Sequence, residues 1–287
     1  MDQAENLRTL VNRSPNKSLR VIAVTSGKGG VGKTNISANL AVLAARAGRK
    51  VLILDADLGL ANVEILYGLK PRLHMGHLLD ASADISEVMA VGPHGVRVLP
   101  AGSGIQGLTR LDDAQKLRLM TALDYIEDAF DLVIVDSSAG IGDNVLFFVG
   151  GAQEALLVVT VEPTSLTDAY AAVKVLSQQA GVHHFNVVVN TAPTETAARE
   201  IFETLTSVTS RFLNAKVKYL GYLPRDENMH RAIMAQRPLV DLFPQSPSSR
   251  ALALLADKLF NEAAPVSLDG GMKFLWQRLL REQSPTG

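Results

Sequence analysis

The sequence predicts an α/β fold, with a single doubly wound, mostly parallel sheet flanked by helices on both faces. Apolar strand-like runs alternate with helix-length segments between residues 20 and 262, which is the pattern of consecutive βαβ units. Two of these runs, 132–135 and 156–159, are apolar at every position, as expected of strands buried on both faces. A length of 287 residues and a hydrophobic content of 47% are sufficient for one large globular domain.

The elements can be placed in chain order from the period of the apolar residues and from the positions of Gly and Pro. The predicted strands are 20–25, 50–54, 96–99, 131–135, 155–159 and 185–189. The predicted helices are 33–47, 112–128, 141–150, 164–180, 194–213, 227–235 and 247–262. Residues 221–226, which include Gly221 and Pro224, are predicted to form a turn. We expect a leader with a short helix and a linker at 1–19, the main domain at 20–262 and a tail at 263–287.

The composition excludes several functional classes. The 28 Lys and Arg residues balance 29 Asp and Glu residues, so we expect no direct, charge-driven binding of nucleic acid. The chain has no cysteine, which excludes disulfides, thiolate metal sites, iron–sulfur clusters and a cysteine nucleophile. The first residues include acids where a secretory signal peptide carries bases, and no apolar run approaches the roughly 20 residues that span a bilayer. We therefore expect a cytoplasmic protein.

A glycine-rich segment between the first strand and the first helix predicts a phosphate-binding loop. It fits the pattern G-x-x-x-x-G-K-[ST] in the strand–loop–helix context that the pattern requires. Its glycines allow backbone N–H groups to converge on phosphate oxygens, its lysine adds a cation, and its threonine hydroxyl can bind Mg²⁺. The predicted nucleotide-binding residues of the loop are Gly27, Lys28, Gly29, Gly30, Val31, Gly32, Lys33 and Thr34.

Three carboxylates are predicted to lie beside this loop. Asp55 and Asp57 follow the second strand, and Asp136 follows the strand at 131–135. Because the carboxyl ends of parallel strands meet in the crevice where α/β proteins bind ligands, we expect these side chains to face the nucleotide. Carboxylates can hold Mg²⁺ and position a water for phosphoryl transfer, although an Asp after a strand can also cap the next helix.

With Lys28 as a second lysine in the loop, these motifs resemble those of the deviant Walker A ATPases, the family of MinD, ParA and the nitrogenase iron protein. The resemblance covers residues 20–262, and it implies a P-loop NTPase fold, ATP and Mg²⁺ as cofactors, slow hydrolysis of ATP to ADP and phosphate, and an ATP-dependent homodimer. It also implies three catalytic residues. Lys28 would act on the nucleotide of the partner subunit, Lys33 on the β and γ phosphates, and Asp57 on the attacking water.

The same resemblance implies the remaining ligands of the nucleotide. Thr34 and Asp136 would hold the metal, and Asp55 would lie near its ligand shell. For the adenine base, the resemblance implies Asn190 and the predicted turn with Pro224 and Asp226, although these residue types are also ordinary turn formers.

Three features select a branch of the family. The absence of cysteine excludes the nitrogenase iron protein and the iron–sulfur carriers, and segment 57–62 has the MinD rather than the ParA form. The leader matches the D-Q-A-x-x-L-R element of the FlhG (FleN) family of flagellar number regulators at residues 2–8. That resemblance implies that Gln3, Leu7 and Arg8 stimulate the signal-recognition-type GTPase FlhF. It also implies action on flagellar switch (C-ring) proteins or on a flagellar transcription regulator.

The tail contains a predicted amphipathic helix. Met272, Leu275, Trp276, Leu279 and Leu280 share one face at 100° per residue, and basic residues lie opposite. Trp on an apolar face with a basic polar face is typical of helices that lie in an anionic membrane interface, although the tail could instead pack on the main domain. The predicted membrane residues are Phe274, Leu275, Trp276, Leu279 and Leu280.

The function that we expect is a dimerising, membrane-associating regulatory ATPase that controls flagellar number or placement, at the inner membrane and at the cell pole. Two alternatives stay open at this point. One is a MinD-like regulator of the division site, which has the same fold. The other is a metabolic P-loop enzyme, for which the second lysine and the amphipathic tail would have no purpose.

Overall fold

A computed structural model describes residues 19–58, 62–102 and 110–262, so the predicted leader before Leu19 and the predicted tail lie outside the described residues. The described part contains eight strands in one sheet. They are β1 (Arg20–Thr25), β2 (Val51–Ala56), β3 (Ala90–Val91), β4 (Arg97–Leu99), β5 (Leu132–Ser137), β6 (Glu154–Thr160), β7 (His184–Ala192) and β8 (Lys216–Pro224).

The helices of the described part connect these strands. They are α1 (Lys33–Arg46), α2 (Val63–Leu66), α3 (Met75–Leu79), α4 (Ile85–Val88), α5 (Asp113–Ile126), α6 (Asp143–Gly150), α7 (Pro163–Gln179), α8 (Glu195–Phe212), α9 (Glu227–Met234), α10 (Leu239–Leu242) and α11 (Pro247–Asn261). Two short 3₁₀ turns, Pro93–Gly95 and Glu127–Ala129, complete the set. Within the described residues, none of these helices combines the length and apolarity needed to span a membrane.

The sheet confirms the predicted fold class. Its strand order is β3-β4-β2-β5-β1-β6-β7-β8, and every neighbouring pair is parallel except β3 with β4. The chain leaves the central strand β1 toward β2 on one side, and later builds β6, β7 and β8 on the other. In open α/β sheets, ligands bind at the carboxyl ends of strands where the direction of winding changes. The loop after β1 lies at this position.

Two hydrophobic layers cover the sheet because successive strand residues point to opposite faces. In β1, Val21 and Ala23 belong to the layer that contains α3 to α8, while Ile22 and Val24 belong to the layer that contains α1, α2 and α9 to α11. All residues of β1, β2, β5 and β6 are buried. This double burial explains the continuous apolar runs of the sequence.

Each strand and helix predicted between residues 20 and 262 has a counterpart, but the predicted turn at 221–226 is wrong. Gly221 and Pro224 instead belong to β8, and only Arg225 and Asp226 follow the strand. Pro224 is tolerated because it is the last residue of an edge strand, where an N–H group is not required. Gly221 lets Leu255 pack closely on the strand, since a Cβ there would lie 2.6 Å from the end of the Leu255 side chain. The short elements β3, α2, α3, α4 and α10 were not predicted either.

At the amino ends of the strands, opposite the β1 loop, a buried ion pair joins β1 to β6. The guanidinium of Arg20 donates to Glu154 Oε1 at 2.7 Å, and Asn186 Nδ2 donates to Glu154 Oε2 at 2.7 Å. Arg20 also donates to the carbonyl oxygen of Glu262 at 3.1 Å. Both charged side chains are more than nine-tenths buried, so their mutual pairing offsets the loss of hydration.

Candidate functional site

The loop after β1 exposes the amino end of α1. Gly30 and Gly32 adopt φ angles of +76° and +92°, a left-handed conformation that a side chain disfavours. Helix α1 begins at Lys33 without a side-chain cap and without an acidic residue in its first turn. Its first N–H groups therefore have no carboxylate or hydroxyl partner on the helix itself. This arrangement, with the positive end of the helix dipole, is suited to bind an anion such as phosphate.

Lys33 lies inside this site and is 8% exposed. Its Nζ donates to the Ser26 hydroxyl at 3.0 Å. Burial lowers the pKa of the Lys33 ammonium, and the carboxylates of Asp136 and Asp57 oppose that shift. The lysine is thus a buried cation with nearby negative charge, and a polyphosphate entering the loop would supply more.

Asp55 and Asp136 are direct neighbours in the sheet because β2 and β5 pair in register at these residues. Both side chains are fully buried. Asp136 Oδ1 accepts a hydrogen bond from the Ser37 hydroxyl at 2.8 Å. Burial raises the pKa of Asp136 to about 6, against hydrogen bonds from the side chains of Thr34 and Ser37 that lower it.

Asp55 fixes the start of the loop after β2. Its Oδ1 accepts from the backbone N–H of Asp57 at 3.2 Å, and its Oδ2 accepts from the N–H groups of Asn62 and Val63 at 3.1 and 3.2 Å. Burial and the adjacent charge of Asp136 raise the pKa of Asp55 well above its ordinary value. Because both oxygens are occupied by backbone donors, Asp55 positions Asp57 and the chain that returns at α2.

Asp57 itself is half-buried. Burial raises the pKa of its carboxyl group, and the nearby ammonium of Lys33 lowers it. The Asn62 side-chain amide lies 3.5 Å from Asp57 Oδ2. A partly hydrated carboxylate close to Lys33 is suited to position a water next to a bound phosphate.

The donor set beside Thr34 fits Mg²⁺. Asp136 Oδ2 is buried and has no hydrogen-bond partner, and the Thr34 side chain contacts the same carboxyl group. An acceptor left without a partner in the interior is costly unless a cation or a metal-bound water uses it. Among the residues that the structure describes, no cluster of three or more His, Asp and Glu side chains forms a dedicated metal cage. Mg²⁺ normally uses only one or two protein oxygens and completes its shell with phosphate and water.

Two residues predicted for the base lie at the ends of β7 and β8. The Asn190 side-chain amide donates to the Val31 carbonyl at 2.7 Å, so Asn190 supports the phosphate loop from the side. Pro224 ends β8, and its carbonyl accepts from the Ser248 hydroxyl at 3.0 Å. These residues lie on neighbouring strands, in which Ala192 pairs with Pro224.

The third, Asp226, caps α9 by accepting from Asn228 N–H at 3.0 Å, and it also accepts from Ser248 N–H. Burial alone would raise the pKa of Asp226, but the hydrogen bonds from Ser248 and Asn228 outweigh it and lower the pKa. Asp226 therefore has a structural role as a helix cap, and a contact with the base stays a prediction.

Lys28 differs from Lys33 in its exposure and in its hydrogen-bond partners. Its side chain is 39% exposed and reaches the residues that follow β6. Its Nζ donates to Glu162 Oε2 at 2.5 Å and to the Thr164 hydroxyl at 3.2 Å. The structure therefore brings Lys33, Thr34, Asp57 and Asp136 together and keeps Lys28 outside this group.

The other predicted residues lie outside the described residues. They are Gln3, Leu7 and Arg8 of the leader and Phe274, Leu275, Trp276, Leu279 and Leu280 of the tail. Three site residues were missed by the sequence reasoning: Ser26, Ser37 and Glu162. Ser37 could have been found because it lies three residues after Thr34, on the same face of α1. Glu162 carries the signal that identified Asp57 and Asp136, an acidic residue just after a buried apolar run.

A family profile described as "ParA: NUBPL iron-transfer P-loop NTPase" matches residues 17–260, which is most of the chain. The chain belongs to the ParA/MinD family of P-loop ATPases. As a member of this family it is an ATPase of the P-loop class. It has no cysteine for the iron-transfer chemistry in the profile's description.

Within the ParA/MinD family, the chain is 44% identical to the antiactivator FleN of Pseudomonas aeruginosa, over 92% of this chain and 94% of that protein. It is 31% identical to the flagellum site-determining protein YlxH of Helicobacter pylori, over 98% of both chains. Among solved structures it is similar to the septum site-determining protein MinD of Pyrococcus horikoshii in complex with Mg-ADP. That match has a TM-score of 0.71 and 25% identity, and it covers 85% of this chain and 96% of that one.

Proposed function

We propose that this chain is an ATP-driven switch that sets the number or placement of flagella. The proposal of a switch rests on the contrast between the two lysines of the loop. Lys33 is buried in its own phosphate site, whereas Lys28 is exposed outside that site. A lysine outside its own site can serve the site of a second copy. The similarity to FleN and YlxH supports the flagellar role, because both matches extend over more of this chain than the match to the MinD structure does.

In the proposed site, the N–H groups of residues 27–34 and the ammonium of Lys33 bind the phosphates of ATP. Thr34 and Asp136 would hold Mg²⁺, which neutralises charge on the phosphate oxygens when bound. Asp57 orients the attacking water, and Asp55 holds Asp57 in place through the backbone hydrogen bonds described above. Lys28 extends to the nucleotide of the partner subunit and stabilises the charge that develops during phosphoryl transfer.

The base is proposed to lie between the ends of β7 and β8. Asn190 fixes Val31 at the inner side of this region, and Pro224 and Asp226 form its outer wall. Both carboxylate oxygens of Asp226 already accept backbone N–H groups, so Asp226 also holds this wall in place.

The ends of the chain are proposed to carry the output. Gln3, Leu7 and Arg8 would stimulate the GTPase FlhF, and the apolar face of the tail would bind an anionic membrane surface. A dimer has two tails, so two weak membrane contacts act together. Because ATP promotes the dimer, membrane binding follows the nucleotide state. Flagellar switch proteins or a flagellar transcription regulator would receive the signal.

A deletion strain tests the flagellar role against the alternatives. We expect cells without the chain to have an altered number of flagella, restored by the wild-type chain and not by the Asp136→Asn variant. Normal flagella together with minicells would favour the division-site alternative. ATP turnover that requires a small-molecule acceptor would favour the metabolic one.

The two outputs can be tested separately. A peptide of residues 1–13 is expected to stimulate GTP hydrolysis by FlhF, and the Gln3→Ala peptide is not; equal stimulation by both would remove Gln3 from the proposal. A chain truncated after residue 270 is expected to lose ATP-dependent sedimentation with anionic liposomes. Unchanged sedimentation would show that the tail is not the membrane contact.

A further inference from the structure

The last residues of β7 depart from regular strand geometry. Thr191 has a φ angle of +54°, a left-handed conformation that a β-branched residue rarely adopts. The pairing of β7 with β8 changes register between Val189 and Ala192, so Asn190 and Thr191 lie where the ladder is interrupted. Backbone strain of this kind persists only where other contacts offset it, and it concentrates at binding sites. The contacts of Thr191 show what offsets the strain.

Thr191 holds the side chain of Asn190 in one orientation. The Thr191 hydroxyl donates to the Asn190 carbonyl at 2.8 Å, which offsets the cost of the left-handed backbone. In this conformation the N–H of Thr191 donates to Asn190 Oδ1 at 2.9 Å. On its other side, Asn190 Nδ2 donates to the Val31 carbonyl at 2.7 Å. Both polar atoms of the amide are thus engaged, one by Thr191 and one by the phosphate loop.

This pair of contacts prevents the amide from turning over. A rotation of 180° would place Oδ1 against the carbonyl oxygen of Val31 and Nδ2 against the N–H of Thr191, so both hydrogen bonds would become repulsive pairs. The amide still has one N–H on Nδ2 and one lone pair on Oδ1 that neither contact uses. Asn190 is half-buried, and it therefore offers a ligand one donor and one acceptor at fixed positions.

A fixed donor and a fixed acceptor distinguish the two purines. Adenine presents the amine N6 as a donor beside the acceptor N7, whereas guanine presents two acceptors, O6 and N7. The fixed amide complements adenine, but its Oδ1 would oppose guanine O6. An amide that could turn over would present Nδ2 to O6 and bind guanine as well.

We propose that Thr191 is a positioning residue that makes the site selective for adenine over guanine by fixing the amide of Asn190. This proposal rests on the proposed base site between the ends of β7 and β8. The hydroxyl of Thr191 is the decisive group. A β-branched side chain without it leaves the left-handed conformation, and the N–H of residue 191 then moves away from Asn190 Oδ1. Selectivity thus depends on the backbone conformation of residue 191, which the hydroxyl maintains.

The test measures the dissociation constants of Mg-ADP and Mg-GDP for the full-length chain by calorimetric titration. Thr191→Val keeps the shape of the side chain but removes the hydroxyl. It should lower the ratio of the GDP constant to the ADP constant by roughly 5- to 30-fold, which corresponds to one or two hydrogen bonds. Thr191→Gly adopts a positive φ without strain and should keep the wild-type ratio. A merely structural role of the side chain predicts the reverse order, because Val fills the same space and Gly does not.

The matched control is Thr204→Val. The Thr204 hydroxyl also donates to a backbone carbonyl, that of Glu200 at 2.8 Å, but it lies on the exposed side of α8. This variant should leave the ratio of the two dissociation constants unchanged. Urea unfolding without nucleotide shows whether each variant is folded.

Asn190→Ala separates a failure of the Thr191 role from a failure of the base site. It should lower the ratio as Thr191→Val does, and Thr191→Val should have no further effect in the Asn190→Ala protein. If Asn190→Ala lowers the ratio and Thr191→Val alone does not, the positioning role of Thr191 is wrong. If Asn190→Ala leaves the ratio unchanged, the base does not lie at Asn190, and the proposed base site fails together with the role of Thr191.

Discussion

Gly32 combines a left-handed backbone conformation with a close side-chain neighbour, and Gly32→Ala should destabilise the protein by a predictable amount. Its φ of +92° is a left-handed conformation, which costs a residue with a Cβ about 1–2 kcal/mol. The new Cβ would also lie 2.4 Å from Asn190 Nδ2. Moving that amide breaks its hydrogen bond to the Val31 carbonyl, which adds about 1 kcal/mol. The expected loss in the free energy of unfolding is about 2–3 kcal/mol.

Two other glycines allow the cost of backbone strain to be measured apart from the cost of a steric clash. Gly30 and Gly48 also have positive φ, but a Cβ at either position meets nothing within 4 Å, so alanine there should cost only the strain. Urea unfolding at constant m-value measures all three variants. The Asn190→Ala background should remove the extra loss caused by Gly32→Ala. If Gly32→Ala is no more destabilising than Gly48→Ala, the proposed contact with Asn190 does not constrain the loop.

The remaining predictions concern buried charges. Because the pKa of Asp136 is about 6 in the fold and about 3.9 in the unfolded chain, the metal-free protein should lose about 2 kcal/mol of stability as pH rises from 4 to 6.5. Asp136→Asn should abolish that loss and stabilise the protein at pH 7.5, yet weaken binding of Mg-ATP. Urea unfolding across pH, with and without nucleotide, measures both effects, and an unchanged pH dependence in the variant would contradict this expectation. Glu154→Ala leaves the buried guanidinium of Arg20 without its carboxylate and should cost about 3–5 kcal/mol. The same substitution at the exposed Glu195 should have little effect on thermal unfolding, and equal losses at both positions would contradict the burial argument.

The carboxylates of the site could be predicted because their positions follow from local sequence. Asp57 and Asp136 each come at the end of a buried apolar run, and parallel strands bring such ends to one edge. The contact between Lys28 and Glu162 could not be predicted in this way. The contact exists because β1 and β6 are neighbours in the sheet, and the period of the apolar residues does not predict the order of the strands.

At strand β8, the local sequence led to a wrong prediction. Gly and Pro are common in turns, but tertiary packing places Gly221 and Pro224 in a strand. Gly221 makes room for Leu255 of α11, and Pro224 ends an edge strand that has no further neighbour in the described sheet. The orphaned oxygen of Asp136 is likewise visible only in three dimensions, since it depends on which donors surround the carboxyl group.

Completion of the ATP site of one subunit by Lys28 of another is tested most directly by a mixture of two inactive variants. Lys28→Ala keeps its own Asp57 but offers no lysine to a partner, and Asp57→Ala offers the lysine but cannot position water. In a mixed dimer, the site on the Lys28→Ala subunit has both groups. An equimolar mixture is expected to recover about a quarter of wild-type turnover, since half of the dimers are mixed and each has one complete site. A mixture as inactive as its two components would contradict the account.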